Sequence, residues 1–351
     1  MKSFTLSRKM PVFRFLVLTL LAGIMFRAFG EDTPPSPPPS ASPSQSPEPA
    51  PIKTAEERLP LRIVVSNDSI RVLEEDRPVL VYRYANVPFK PYLQSWYVKR
   101  PDGTYEDILV DSPPDHKHHH GLMYALAVNG VNFWEEADTS GKQMHRGFSF
   151  LDVETHGNHA HARWVQSLDW IGPDGTPLLR EQRRILYIPG QGTPPLLCWE
   201  SALSCPPNLD EVTLSGSHYF GLGMRLAFSP ETQTTFAWEK PDAGWVVRGD
   251  ERNTPSAWVS AALASASGVR QLLMAADPES TRFPPVWFTM TTPFVYVSAT
   301  LDVQRTPLVL KKDEPVRLRY IIAVEDRKEA WSEADRAAIY QKCVTTLEAE
   351  R

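Results

Sequence analysis

Cysteine is scarce in this 351-residue chain: Cys198, Cys205 and Cys343 are the only three. Three cysteines cannot staple a disulfide scaffold. Cys198 and Cys205 could pair in an oxidising compartment if their strand ends fold back; otherwise all three act as small buried apolar side chains. Cys343 falls in a segment with helical spacing and would stay free. Positive charge is not in excess either. A formal net charge of −5 removes the electrostatic case for nucleic acid. Past the first thirty residues no apolar run approaches the roughly 20 residues that span a bilayer, so no membrane partner is expected once a leader is removed. A fixed-period repeat is also missing, which argues against propellers and solenoids.

What is present begins with an export pattern. Lys2, Arg8, Lys9 and Arg14 precede an apolar core from Phe15 to Phe26, and Ala28-Phe29-Gly30 supplies small residues before Glu31. This predicts a signal peptide over 1–30, cleavage near Glu31 and a periplasmic or secreted protein. Pro, Ser, Ala and Glu dominate 31–55, a composition that cannot bury a core and serves as an extended linker. The remainder, 56–351, is long enough to bury a large core as one domain.

From Leu61 onward the chain reads as strand after strand. Short runs rich in β-branched and aromatic residues, such as Pro78–Tyr84, Tyr92–Val98, His161–Trp170, Leu196–Leu203 and Val316–Val324, alternate with turn signals. The turns recur at intervals of about 10 to 20 residues, as in sandwiches and barrels. One helix is expected, at the C-terminus. Ser332 with Asp335 forms a capping pattern, and Ala334, Ala338, Ile339, Val344 and Leu347 follow at helical spacing. The predicted class is all-β, a large antiparallel β-sandwich closed by one helix.

The stretch Asp115-His116-Lys117-His118-His119-His120-Gly121 holds four of the nine histidines. An apolar run, Leu122 to Val128, follows, then Asn129-Gly130, then Val131-Asn132-Phe133-Trp134-Glu135-Glu136. Asn-Gly between apolar runs is a strong hairpin signal, because both turn residues accept positive φ. If the strand begins near His116, then His116, His118 and His120 share one face, and Lys117 and His119 take the other. Imidazole serves as acid, base or metal ligand near neutral pH.

These residues also carry a resemblance. Lys90-Pro91-Tyr92-Leu93, Pro101-Asp102-Gly103, the Asp115–Leu122 segment, Asn129–Trp134 and Tyr219–Arg225 together resemble a secreted bacterial family labelled "methane oxygenase PmoA". The label implies a metal-dependent oxidoreductase. The absence of spanning segments after the leader argues against methane oxidation by an integral membrane enzyme. The resemblance implies the company of secreted carbohydrate-degradation proteins and, by analogy of strand pattern, the supersandwich of galactose mutarotases.

The leading expectation is therefore a carbohydrate-active enzyme, of mutarotase, lyase or hydrolase type, acting on a small sugar or an oligosaccharide. His118 and His120 would move protons, His116 would orient or ligate, and Glu135 would be the partner carboxylate. His119, His218, Tyr219 and Arg225 would bind substrate, and Trp134 would stack on a sugar face or pack in the core. No cofactor is required by the sequence, though His116, His118 and His120 could hold a divalent ion. The rival classes are a non-catalytic carbohydrate-binding module using Trp134 and Tyr219, and the metal-dependent oxidoreductase. A second histidine cluster, His156, His159 and His161, flanks Gly157-Asn158 and reads as a solvated hairpin tip. The sequence leaves the oligomeric state open.

Overall fold

A computed structural model describes residues 61–156, 159–229 and 231–351. The expected leader (1–30) and linker (31–55), and the Gly157-Asn158 turn, lie outside these residues.

The described chain is built from antiparallel strands. An eleven-stranded sheet runs, among its neighbours, Arg77–Arg83, Tyr92–Lys99, Leu122–Ala125, Gly221–Arg225, Tyr296–Thr300, Val286–Met290 and Glu251–Pro255, side by side. An eight-stranded sheet faces it and contains Lys142–His156, His159–Ile171, Pro177–Ile188, Leu196–Ser204 and Val316–Arg327. A small four-stranded sheet holds the two short arms of the Asn129-Gly130 hairpin. The layers meet through aromatic side chains: Tyr82 of the first sheet packs on Trp164 (5.4 Å) and Trp199 (6.4 Å) of the second. The core also holds a buried ion pair. Arg183 and Glu181, both fully buried, stand 2.8 Å apart, and Arg183 donates to Tyr82 and to the carbonyl of Pro91. The predicted all-β sandwich with one C-terminal helix is what the chain forms.

That helix, Glu333–Ala349, starts at the expected capping box, with Ser332 and Asp335 satisfying each other's backbone N–H. Its buried seam differs from the expected one. Cys343 and Leu347 are buried, with Ile339 and Tyr340 packed beside them, while Ala334 and Ala338 face solvent. A short alanine cannot reach the sheet where the longer Ile339 and Leu347 can. Cys198 and Cys205 do not pair: all three cysteines are buried free thiols, and burial raises each thiol pKa.

Two local expectations need correction. His116–His120 is not the start of a strand; the strand begins at Leu122. Pro113-Pro114 sends the chain into consecutive turns, closed by hydrogen bonds from His116 N to Pro113 O and from His119 N to His116 O. His116, His118 and His120 therefore do not share a strand face. The apolar run 122–128 also divides at Leu126, giving Leu122–Ala125 to the large sheet and Ala127–Val128 to the small one. The hairpin itself forms as expected, with Asn129 at φ 49° and Gly130 at φ 82°. Strands at Gln233–Trp238, Glu251–Pro255 and Gly268–Ala276 were not legible in the sequence. The first two are rich in Gln, Thr, Glu, Arg and Asn, which blur an apolar alternation.

Candidate functional site

The five adjacent strands from Leu122–Ala125 to Glu251–Pro255 in the large sheet bring several loops to one place. Three are the histidine turn, the Trp134-Glu135 segment and the Arg248–Glu251 hairpin. Together with Tyr219, Phe288, Met290, Phe294 and Tyr296 they line a cavity of about 420 Å³. Small-molecule sites commonly measure about 300–1,000 Å³.

The turn places its histidines differently from a strand. His116, His118 and His119 line the cavity; His120 does not. Gly121 ends the turn at φ +41°, where an added Cβ would sit 2.1 Å from the carbonyl oxygen of Leu93. Only glycine fits there. Gly121→Ala is expected to cost about 1–3 kcal/mol of stability and to loosen the turn; a thermal melt indistinguishable from wild type would contradict this.

His118 Nδ1 stands 3.3 Å from Glu135 Oε2, and both side chains are partly exposed. Burial lowers the His118 pKa, and the Glu135 charge partly restores it. Glu135 is held by a local device. The Asn132 side chain accepts hydrogen bonds from the backbone N–H of both Trp134 (2.7 Å) and Glu135 (3.2 Å).

His119 is buried at 5% exposure, stacked on His116 at 4.8 Å and tilted against Tyr296 at 5.4 Å. Burial, then the neighbouring His118, His116 and Arg225, push its pKa down to about 2. Arg225 Nη1 lies 3.3 Å from His119 Nδ1, and Arg225 Nη2 donates to Asp115 at 2.7 Å. The guanidinium carbon also sits 3.7 Å above the Phe294 ring. The hydrogen bond from Arg225 holds the Asp115 carboxyl well below the usual range.

His120 is clamped between two carboxylates. Its Nδ1 lies 2.7 Å from Asp111 and its Nε2 2.9 Å from Glu136. Burial opposes protonation, but these two hydrogen bonds outweigh it and raise the His120 pKa. Lys90, 1% exposed, donates to the same Glu136 oxygen at 2.6 Å, and burial pulls its pKa down. Tyr92 stacks on the imidazole at 4.4 Å, and Gln94 donates to Asp111. Two basic and two acidic side chains thus form one hydrogen-bonded cluster beside the cavity.

Trp134 is fully buried and stacks face to face on Phe220 at 4.9 Å. It forms part of the cavity wall rather than an open plate. Tyr219 stands edge-on to Trp134 at 5.3 Å and is more accessible. His218 and Arg225 do not line the cavity but hold residues that do: Arg225 holds His119, and His218 Nε2 lies 3.0 Å from Glu251. In the second cluster, His161 stands 3.8 Å from Glu350, the residue that follows the C-terminal helix, away from the cavity.

Sequence reasoning missed Asp111, Lys90, Arg248, Glu251, Phe288, Phe294 and Tyr296. Lys90 and Tyr92 were visible in the Lys90-Pro91-Tyr92 motif without a role; nothing local marked the others.

A divalent ion at His116, His118 and His120 does not fit this arrangement. Both nitrogens of His120 are taken by carboxylates, at 2.7 Å and 2.9 Å, so neither is open to a metal. Among the described residues no group of three or more His, Cys, Asp or Glu side chains is placed to hold a metal ion. Among the same residues no helix is long and apolar enough to cross a membrane.

No curated protein matches the sequence. Among solved structures, the chain is similar to a galactose mutarotase related enzyme from Lactobacillus acidophilus. The identity is 9%, 78% of this chain and 99% of that chain are covered, and the TM-score is 0.37. A family model described as "Family of unknown function (DUF6807)" matches residues 69–340. That match spans most of the chain, which therefore belongs to the DUF6807 family.

Proposed function

We propose that the cavity binds a sugar or the end of a short oligosaccharide, and that His118, backed by Glu135, exchanges a proton with it. The observation that carries this reading is the His118–Glu135 pair on the wall of a cavity of about 420 Å³. A histidine whose Nδ1 faces a carboxylate keeps its proton on that side and presents Nε2 as a base. Tyr219, Phe288 and Tyr296 offer aromatic faces and edges against the apolar C–H face of a pyranose, and Glu135, Glu251 and Arg248 offer partners for its hydroxyls. Export to the periplasm or beyond, and kinship with the secreted PmoA-labelled group, belong to the same proposal.

The test is a panel of neutral hexoses and their disaccharides, followed by tryptophan fluorescence for binding and by NMR for turnover. Tyr219→Ala is expected to weaken binding by up to about tenfold, the size of one lost aromatic contact. Binding indifferent to Tyr219→Ala would place the ligand elsewhere. The aromatic lining also suits a non-catalytic binding module; saturable binding with no chemical change in any sugar would favour that reading.

A further inference from the structure

His119 lies one residue from the proposed base and does different chemistry. An arginine guanidinium can only donate hydrogen bonds, so His119 Nδ1, facing Arg225 Nη1 at 3.3 Å, must accept. The single proton of the neutral ring therefore sits on Nε2. That nitrogen meets no hydrogen-bond partner among the described residues, although the side chain is nine-tenths buried and lines the cavity. The ring is fixed by its neighbours: His116 stacks on it, Tyr296 and Trp134 flank it, and Phe294 lies edge-on at 5.4 Å. Burial among these groups keeps the imidazole neutral at every working pH. The charged and titratable groups facing it are Arg225, Asp115, His116, His118 and Tyr296. A buried, neutral N–H donor held by its neighbours in the cavity wall polarises an oxygen on which negative charge develops.

The ring of His118 is next to it, at 4.7 Å between centroids. We propose that this cavity abstracts a proton from the carbon beside a sugar carbonyl, with His119 Nε2–H bonded to the carbonyl oxygen. This rests on the reading of His118 as the base. His118 Nε2 takes the proton, the C–H electron pair becomes a carbon–carbon double bond, and the carbonyl π pair moves onto oxygen, where His119 holds the charge. After His118 has traded that proton with solvent, its return to the same face of the carbon restores the carbonyl with the hydrogen exchanged and the configuration retained. No other reactant is consumed. The carbonyl is that of a neutral aldose or ketose rather than a carboxylate. Glu135 and Glu251 already line the cavity, while the guanidinium groups of Arg248 and Arg225 are tied to Glu251 and Asp115.

The experiment is solvent exchange. The full chain is incubated in deuterium oxide with D-glucose, D-galactose or D-fructose, and proton NMR follows the C–H next to the carbonyl. Exchange into at least one sugar is expected. His119→Ala should slow it by about 10²-fold, the usual loss for one removed oxyanion donor. His119→Gln, which restores a donor N–H, should recover much of that loss, and neither substitution should move the acid limb of the pH–rate profile. Wild-type exchange in His119→Ala overturns the proposal. So does an acid limb displaced by His119→Gln, or exchange by His119→Gln no faster than by the alanine variant. Sugar binding, or faster interconversion of anomers, without any C–H exchange overturns the role of His119 while leaving the sugar-directed reading intact. Neither binding nor turnover with any sugar removes both.

Discussion

Replacing His118 with alanine is expected to lower turnover by about 10²- to 10⁴-fold, the usual contribution of a positioned general base. Binding should change little, because the aromatic walls are untouched. The pH dependence follows from the same side chain. A base works only when unprotonated, so the rate falls as pH drops through its pKa. Burial lowers that pKa from its ordinary 6.5, so the acid limb of kcat/KM should lie below pH 6.5 and the plateau should extend through neutrality. Glu135 opposes this shift. Glu135→Gln removes that charge and should move the limb to still lower pH while reducing the rate. A limb that rises in Glu135→Gln, or full turnover in His118→Ala, would sink the assignment of this pair.

Glu136→Ala should be the most damaging single change near the cavity. It strips Lys90, 1% exposed, of its counter-ion and takes one of two acceptors from His120. Leaving one member of a buried pair uncompensated costs about 3–5 kcal/mol. For a domain of this size the melting temperature should fall by roughly 5–8 °C. Lys90→Met should cost less, because Glu136 keeps its bond to His120 and a thioether tolerates burial. Calorimetric melts of the two variants compare them directly, and equal losses would show that Glu136 does not tie Lys90 and His120 together. The comparison matters for function as well. Glu136 adjoins Glu135, and His120 adjoins His119, so this hydrogen-bonded cluster fixes the backbone that carries both reactive side chains.

The division between the two histidines explains why the sequence pattern misleads about roles. Four imidazoles in five positions look interchangeable. His118 reaches a partly exposed carboxylate, His119 faces a guanidinium, and His120 is gripped by two buried carboxylates. The residues that make these differences lie outside the turn: Arg225 on the strand Gly221–Arg225, and Asp111 in the segment that precedes the turn and bridges back to His120.

Much was nevertheless legible. Alternating short runs and turn residues determine an antiparallel all-β chain, because period-2 patterning and turn chemistry are local properties. The Asn129-Gly130 hairpin and the Ser332–Asp335 cap belong to the same class, since each rests on backbone geometry within four residues. The sequence also pointed to the 116–120 cluster with Trp134, Glu135 and Tyr219, and His116, His118 and His119 do line one cavity with them. Tertiary structure alone decided the rest. Strand order brings Arg248, Glu251, Phe288, Phe294 and Tyr296 to that cavity from more than a hundred positions beyond the histidine turn, and no local signal encodes such neighbours. It also decided that the histidine segment is a turn. Paired prolines and the one glycine that fits against Leu93 O fix its path, and the group that faces each of His118, His119 and His120 then follows from what the fold sets beside it.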